Sequence, residues 1–339
     1  MTPAQLTLTR PQILAFRRRV GALDQRLPAG PRSLQRAAWA GLQDSMPRAA
    51  LLSIHARVDG AGPSAWEAPS LVQVWGPRYQ VYVVDAGDLA VFTLGRLPDS
   101  GMIRRRAEDL APRVHAHLAG ARMRYDDAGQ ALGTHGNNLR YAALTGTLVI
   151  RWEGARRPLV WTVPPPEISA AEATRELARR HLHVFGPSEP ATFAKWAGVG
   201  ARKAVDVFDE LGPELIPVRT PFGDSWLLAR DEPMIRQAPA PTAAARLLPS
   251  GDAYTLHGTG EHRALLVPDA GNRGELWTPR VWPGAVLVDG EIVGTWRRAQ
   301  RMFTIQTWQK LSPSAREAVV GEAESLPLPD AGRTVVDWL

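Results

Sequence analysis

The feature that most constrains the fold is a unit written most clearly over residues 188–230. Ser188 is a candidate N-cap with Pro190 in the first turn, and Ala191–Ala197 reads as a short helix closed by Gly198-Val199-Gly200. Ala201–Leu211 reads as a second helix, with Ala204, Val205, Phe208 and Leu211 as its apolar face. The segments LIPVRT and SWLLAR then flank Pro221-Phe222-Gly223-Asp224, a hairpin tip. Two short helices followed by a two-stranded wing make a winged helix-turn-helix. With 29 Pro and 30 Gly in 339 residues, the chain is punctuated often enough to repeat so small a unit.

A second copy is expected over about 100–163. A helix at 101–119 leads to THGNNLRYAAL (134–144) as recognition helix, and TLVIRW pairs with PLVWTV across the basic tip Glu153-Gly154-Ala155-Arg156-Arg157. A looser third copy spans 10–95, with helices at 11–27, 31–42 and 47–58 and strands LVQVW, YQVYVV and AVFTL. Residues 246–298 change character. Short strands in LLPSGDAYTL, HRALLVP, ELWTPRVW, GAVLVDG and EIVGTW predict a small antiparallel barrel or sandwich, turned at Val288-Asp289-Gly290-Glu291, with a closing helix pair over 299–324. The expected fold is α+β: winged helices at 1–97, 98–166 and 167–236, then a C-terminal barrel-like β-domain with closing helices at 237–339.

Composition narrows the chemistry. No cysteine is present, so disulfides, thiolate nucleophiles and Cys-based metal sites are excluded. No apolar run is long enough for a membrane helix, and the N-terminus lacks a signal-peptide core, so a cytoplasmic monomer that makes no membrane contact is expected. High Ala, Arg, Pro and Gly point to a GC-rich bacterial genome. Basic residues outnumber acidic ones by 40 to 34, and Arg104–Arg106, Arg156-Arg157, Arg179-Arg180 and Arg297-Arg298 are clustered. Such clusters neutralise phosphates or decorate helix ends. No phosphate-loop or dinucleotide fingerprint appears, and neither His115/His117 nor His181/His183 has helical metal-ligand spacing, so no cofactor and no metal are inferred.

The stretches GLQDSMPRAALLSIHARV, VWGPRYQVYVV, LVIRWEGARRPLVWTVP, ARRHLHVFGPSEPATFAKWAGV, RLLPSGDAYTL and GAVLVDGEIVGTWRR, spread over about residues 10–300, resemble the AlkZ/YcaQ-like family of bacterial winged-helix DNA glycosylases. The resemblance implies a concave cradle for double-stranded DNA and hydrolysis of the N-glycosidic bond of alkylated purines, crosslinked ones included. It also implies attack from a groove without base flipping, for lesions too bulky to flip. Active relatives carry Gln-x-Gln or Gln-x-Asp in the first unit. Aligned on GLQDS, the first motif position is Gln43 and the second is Ser45.

An amide at Gln43 can orient a water, Ser45 can be its weaker second ligand, and Asp44 is the nearest carboxylate if Pro47 makes the backbone irregular. The alternative is structural: Asp44 or Ser45 caps the helix entering at Pro47, and Gln43 closes the preceding helix. DNA contacts are expected from Arg57, Arg78, Asn137, Asn138, Arg140, Arg156, Arg157 and Lys203, with the 153–157 tip meeting phosphates or a minor groove. Asp252 reads as structural, with a position facing the cradle as the alternative, and His55 as part of a packed helix face, with the motif cleft as the alternative. The competing function is a duplex-binding protein without hydrolysis, a damage sensor or a transcription regulator.

Overall fold

The computed structural model describes residues 6–46, 48–154, 156–256, 260–328 and 332–339. Its strands are β1 (Leu6–Thr7), β2 (Leu42–Gln43), β3 (Leu71–Trp75), β4 (Val81–Asp85), β5 (Met123–Arg124), β6 (Leu148–Arg151), β7 (Leu159–Thr162), β8 (Leu215–Thr220), β9 (Gly223–Leu228), β10 (Ala245–Leu248), β11 (Gly284–Val288), β12 (Glu291–Ala299), β13 (Met302–Thr307) and β14 (Val335–Trp338). They form four sheets, ordered β2-β4-β3, β5-β7-β6, β1-β8-β9 and β10-β11-β12-β13-β14. No helix among the described residues is long and apolar enough to cross a membrane.

Over 188–230 the helices are Pro190–Ala197 and Ala201–Glu210, followed by the β8–β9 hairpin. Gly198 ends the first helix at φ +72, a left-handed conformation, and lies against the Arg78 backbone, where a Cβ would come within 3.2 Å of the amide nitrogen. The second helix turns slightly from its expected face. Val205 is 44% exposed, whereas Val207 is buried beside Ala204, Phe208 and Leu211. Spacings of three, four and seven from Ala204 select that set.

The helix expected at 101–119 is Met102–Leu118, burying Ala107, Leu110, Ala111, Val114 and Leu118. The stretch 136–145 is a run of short helical turns around Leu139–Ala142, and β6 pairs with β7 in the expected register of TLVIRW against PLVWTV. In the first unit the helices are Arg10–Val20, Pro31–Ala37 and Ala49–Arg57. AVFTL is not a strand: Leu89–Phe92 is helical and buries Ala90, Val91 and Phe92. Short apolar runs do not distinguish buried helix from buried strand. The third strand of that sheet is β2, so Gln43 sits on a strand and does not close a helix.

The C-terminal region departs furthest from expectation. HRALLVP falls in the helix Gly260–Leu266, ELWTPRVW begins in the helix Ala270–Leu276, and the expected closing helix pair is β13 plus one helix, Pro313–Ser325. The five-stranded sheet is open, with β10 and β14 as edges, so it is no closed barrel. The Asp-Gly turn is as read: Asp289 and Gly290 both have positive φ, +46 and +80, as a two-residue hairpin turn requires.

The units share their interiors. Val74, Tyr82, Val84 and Phe92 pack in one core with Leu177, Leu182, Phe193, Trp196 and Phe208. β1 lies parallel to β8, with Leu6 opposite Val218. This sharing brings loops distant in sequence to one cleft.

Candidate active site in an inter-unit cleft

Gln43 pairs with Tyr82 across the antiparallel β2–β4 ladder. Its Oε1 accepts from the Arg78 guanidinium and from the Tyr82 hydroxyl, each at 3.3 Å. Arg can only donate, so these partners set the amide orientation. Burial raises the Tyr82 phenol to about 12 against a smaller opposing effect of Arg78, which keeps it a donor. Gly251, at φ +73, packs on the amide from the other side, and a Cβ there would stand 3.1 Å from Gln43 Nε2. The side chain faces a cleft of about 340 Å³ that Ser45, Arg78, Gly251, Arg280 and Trp282 also line. Ser45 Oγ is buried and has no hydrogen-bond partner among the described residues. A side pocket of about 290 Å³ continues past Met46, Val281 and Trp282 toward Leu52, Pro283 and Trp296.

Asp44 turns the other way, as strand alternation demands. It is fully buried, accepts from the Ala50 amide at 3.0 Å and from Gln73 Nε2 at 2.8 Å, and does not reach the cleft. Its place as a catalytic carboxylate is therefore corrected to a structural one: it caps the helix Ala49–Arg57 from six residues away. Pro47, expected to start that helix, lies outside the described residues; Arg48 precedes it at φ +67.

Burial raises the Asp44 carboxyl from 3.8 to about 6, although the Ala50 amide, Arg48 and Gln73 pull it down. A carboxyl with a raised folded pKa contributes stability that is full below about pH 4 and is lost as pH rises through about 6. Wild type should lose on the order of 3 kcal/mol relative to Asp44→Asn between pH 4 and 7, read from urea midpoints across that range. A flat difference curve would show that Asp44 does not titrate in that window.

The expected DNA-facing residues divide. Arg57 is 3% exposed and places both guanidinium arms on Asp252 at 2.7 Å, so it is corrected from a phosphate contact to a buried ion pair. Asp252 also accepts from Ser53 and the Tyr254 amide. Burial pushes its carboxyl up, but Arg57 and these donors more than offset that and leave it below its ordinary value. Lys203 is spent on the Leu97 carbonyl and Asp99, both at 2.8 Å. Arg140 lies over the rings of Tyr79 and Tyr141. Asn138 is tied to Thr134, while Asn137 is exposed and its backbone amide donates to His135 Nδ1.

Arg78 is exposed at the cleft. Arg156 and Arg157 are also exposed, within reach of Glu153 and Asp126, and share an open groove of about 510 Å³ with Arg124 and Arg151. Ala155, at that tip, lies outside the described residues. Of the other Arg clusters, Arg179 pairs with Glu214 and Arg180 with buried Asp88. His55 is buried under the last helix against Ser325 and Arg26, and burial, Arg26 and Arg246 lower it to about 4.

A family model described as "DNA glycosylase AlkZ-like" matches residues 36–327. The chain belongs to the AlkZ-like DNA glycosylase family. Among solved structures it is similar to the Streptomyces sahachiroi DNA glycosylase AlkZ, with a TM-score of 0.80 at 18% identity over 98% of this chain and 100% of that one; that likeness is one of fold. No curated protein sequence matches the chain. Membership places the protein among DNA-repair glycosylases and implies that it binds DNA. In this AlkZ-like chain Tyr82 and Gly251 hold the motif amide and Arg280 and Trp282 line its cleft; none of the four is among the site residues expected from the sequence. The readable signal was Gly251 within RLLPSGDAYTL; nothing local marks the other three.

Proposed function

We propose that the protein is a monofunctional glycosylase that hydrolyses the N-glycosidic bond of alkylated purines, N7-type or bulky and crosslinked, in double-stranded DNA. It acts as a monomer built of tandem winged helices, and Gln43 positions the attacking water. The observation that carries this reading is the clamped amide: Arg78, Tyr82 and Gly251 hold Gln43 at the floor of a cleft whose mouth has Arg78 and Arg280. A preorganised dipole costs no reorganisation when charge develops.

An N7-alkylated purine is cationic. As the C1′–N9 bond breaks, its electron pair goes to the purine and cancels that charge. The water oxygen adds to the oxocarbenium-like C1′ and loses a proton to solvent. Departure of a neutral base needs no strong acid, and so weak a group as the Gln43 amide suffices to hold the water. Arg78 and Arg280 meet flanking phosphates, and Arg124, Arg156 and Arg157 meet the backbone farther along.

The test is base release from a duplex carrying one N7-methylguanine. Release above spontaneous loss supports the proposal. Duplex binding without release from methylated or bulky adducts supports the second reading, a non-catalytic damage sensor or regulator, which Ser45 favours because it is neither amide nor carboxylate. The apolar side pocket supports bulky substrates. Trp282→Ala is expected to lower release of a bulky apolar N7 adduct about tenfold relative to N7-methylguanine. An unchanged ratio of the two single-turnover rates would sink that role.

A further inference from the structure

Gln73 is a buried amide in the middle of β3, between Val72 and Val74. Such a group must find partners inside the protein. It finds them on two segments. Oε1 accepts from the Trp152 amide at 2.7 Å and Nε2 donates to the Trp152 carbonyl at 3.2 Å, so the side chain pairs with that backbone as a neighbouring strand would. The same Nε2 donates to Asp44 Oδ2 at 2.8 Å. Trp152 is the first residue beyond β6, where the hairpin departs for the tip that bears Arg156 and Arg157. Asp44 lies between Gln43 and Ser45, and its other oxygen holds the next helix by the Ala50 amide.

A second tie runs beside the first. The buried Trp66 ring is in contact with two guanidiniums, Arg151 at 3.9 Å and Arg48 at 4.1 Å. Arg151 ends β6 and pairs with Glu67 and Glu153, and Arg48 leads from the motif loop into the helix Ala49–Arg57. The hairpin base and the motif loop are thus joined by the hydrogen bonds of one buried amide and by two cation–ring contacts on one tryptophan.

We propose that Gln73 is a positioning residue that ties the geometry of the Gln43–Ser45 loop to engagement of the hairpin tip by duplex DNA. The inference rests on reading the cleft as a glycosylase site. Phosphates drawn to Arg156 and Arg157 fix the hairpin, Trp152 fixes Gln73, and Gln73 fixes Asp44 and with it the backbone on either side. Neither Gln73 nor Asp44 touches substrate. Water attack is thereby matched to a seated duplex.

The test compares wild type, Gln73→Met and Arg156→Ala/Arg157→Ala in the full chain. Amide hydrogen exchange is followed over 42–52 and 148–160, with and without an undamaged duplex. In wild type, duplex should slow exchange in both segments; in Gln73→Met it should slow only 148–160. On N7-methylguanine duplex, Gln73→Met should lose about 10- to 100-fold in saturated single-turnover rate with Kd held within about twofold. Adding the arginine substitutions to Gln73→Met should raise Kd without lowering the saturated rate further. Wild-type protection confined to 148–160, or absent from both segments, overturns the proposal. So does a wild-type saturated rate in Gln73→Met. Protection of both segments by duplex in a wild type that releases no base supports the tie and refutes the glycosylase reading. The wild-type exchange result stands alone if Gln73→Met fails to fold.

Discussion

Gln43→Ala is expected to reduce saturated single-turnover release of N7-methylguanine by about 10²- to 10³-fold, the range for removing one preorganised polar group from a transition state. Duplex affinity should stay within about twofold, because the backbone contacts proposed above fall on Arg78 and the tip arginines and none on Gln43. Truncation leaves Arg78 and Tyr82 without their shared acceptor. The Tyr82 hydroxyl then faces the cleft, so water still enters but is no longer held at one place. Ser45→Asp should act in the opposite sense. It places a carboxylate at the second motif position, beside an amide already clamped, and is expected to raise the rate about tenfold by accepting the water's proton. Equal rates for wild type and Gln43→Ala would remove Gln43 from the mechanism, and a slower Ser45→Asp would show that the second position here is not that of the Gln-x-Asp branch.

The largest stability effect should follow from Asp252→Ala. The Asp252 carboxylate is fully enclosed and holds four donors: two arms of Arg57, the Ser53 hydroxyl and the Tyr254 amide. Its removal leaves a buried guanidinium without its anion and should cost roughly 3–5 kcal/mol. Arg57→Met combined with Asp252→Leu should recover most of that loss, since the pair's attraction is largely offset by its desolvation. Urea midpoints for the single and double variants would measure the coupling. Activity should fall in Asp252→Ala as well, because Gly251 precedes Asp252 and forms one wall against the Gln43 amide. A midpoint unchanged in Asp252→Ala would mean that water reaches Arg57 and that the pair is not the anchor of this wall.

Much of the architecture was legible because local chemistry agreed with the tertiary outcome. The 188–230 unit, the helix Met102–Leu118 and the hairpins of β6–β7 and β11–β12 carry their own turn residues and periodicity, although Ser188, expected as an N-cap, is bonded to His181 instead and the helix begins after Glu189 without a side-chain cap. AVFTL and HRALLVP misled because so short a buried apolar stretch has no readable period. In the first case helix prevails where Val91 and Phe92 meet Leu177 and Leu182 in the shared core. The missing third strand was found instead at Leu42–Gln43, a two-residue strand that no propensity marks.

By itself, the sequence determined the punctuation of the chain, the absence of thiol chemistry, the family, and the positions that would carry a Gln-led motif. These depend on residue identity and on contacts a few residues apart. Tertiary structure alone decided which charges are available. Arg57, Arg180 and Lys203 look like Arg78 and Arg156 in one dimension, yet the first three are consumed by Asp252, Asp88 and Asp99 from segments 92 to 195 residues away. It also decided the orientation of the motif: strand alternation sends Gln43 to the cleft and Asp44 to the interior. Gly251, Tyr82 and Gln73 complete the loop from elements whose nearness follows from shared cores. The physical reason is that a pairing partner is chosen by distance in space, and the chain encodes that distance only through the packing of the whole.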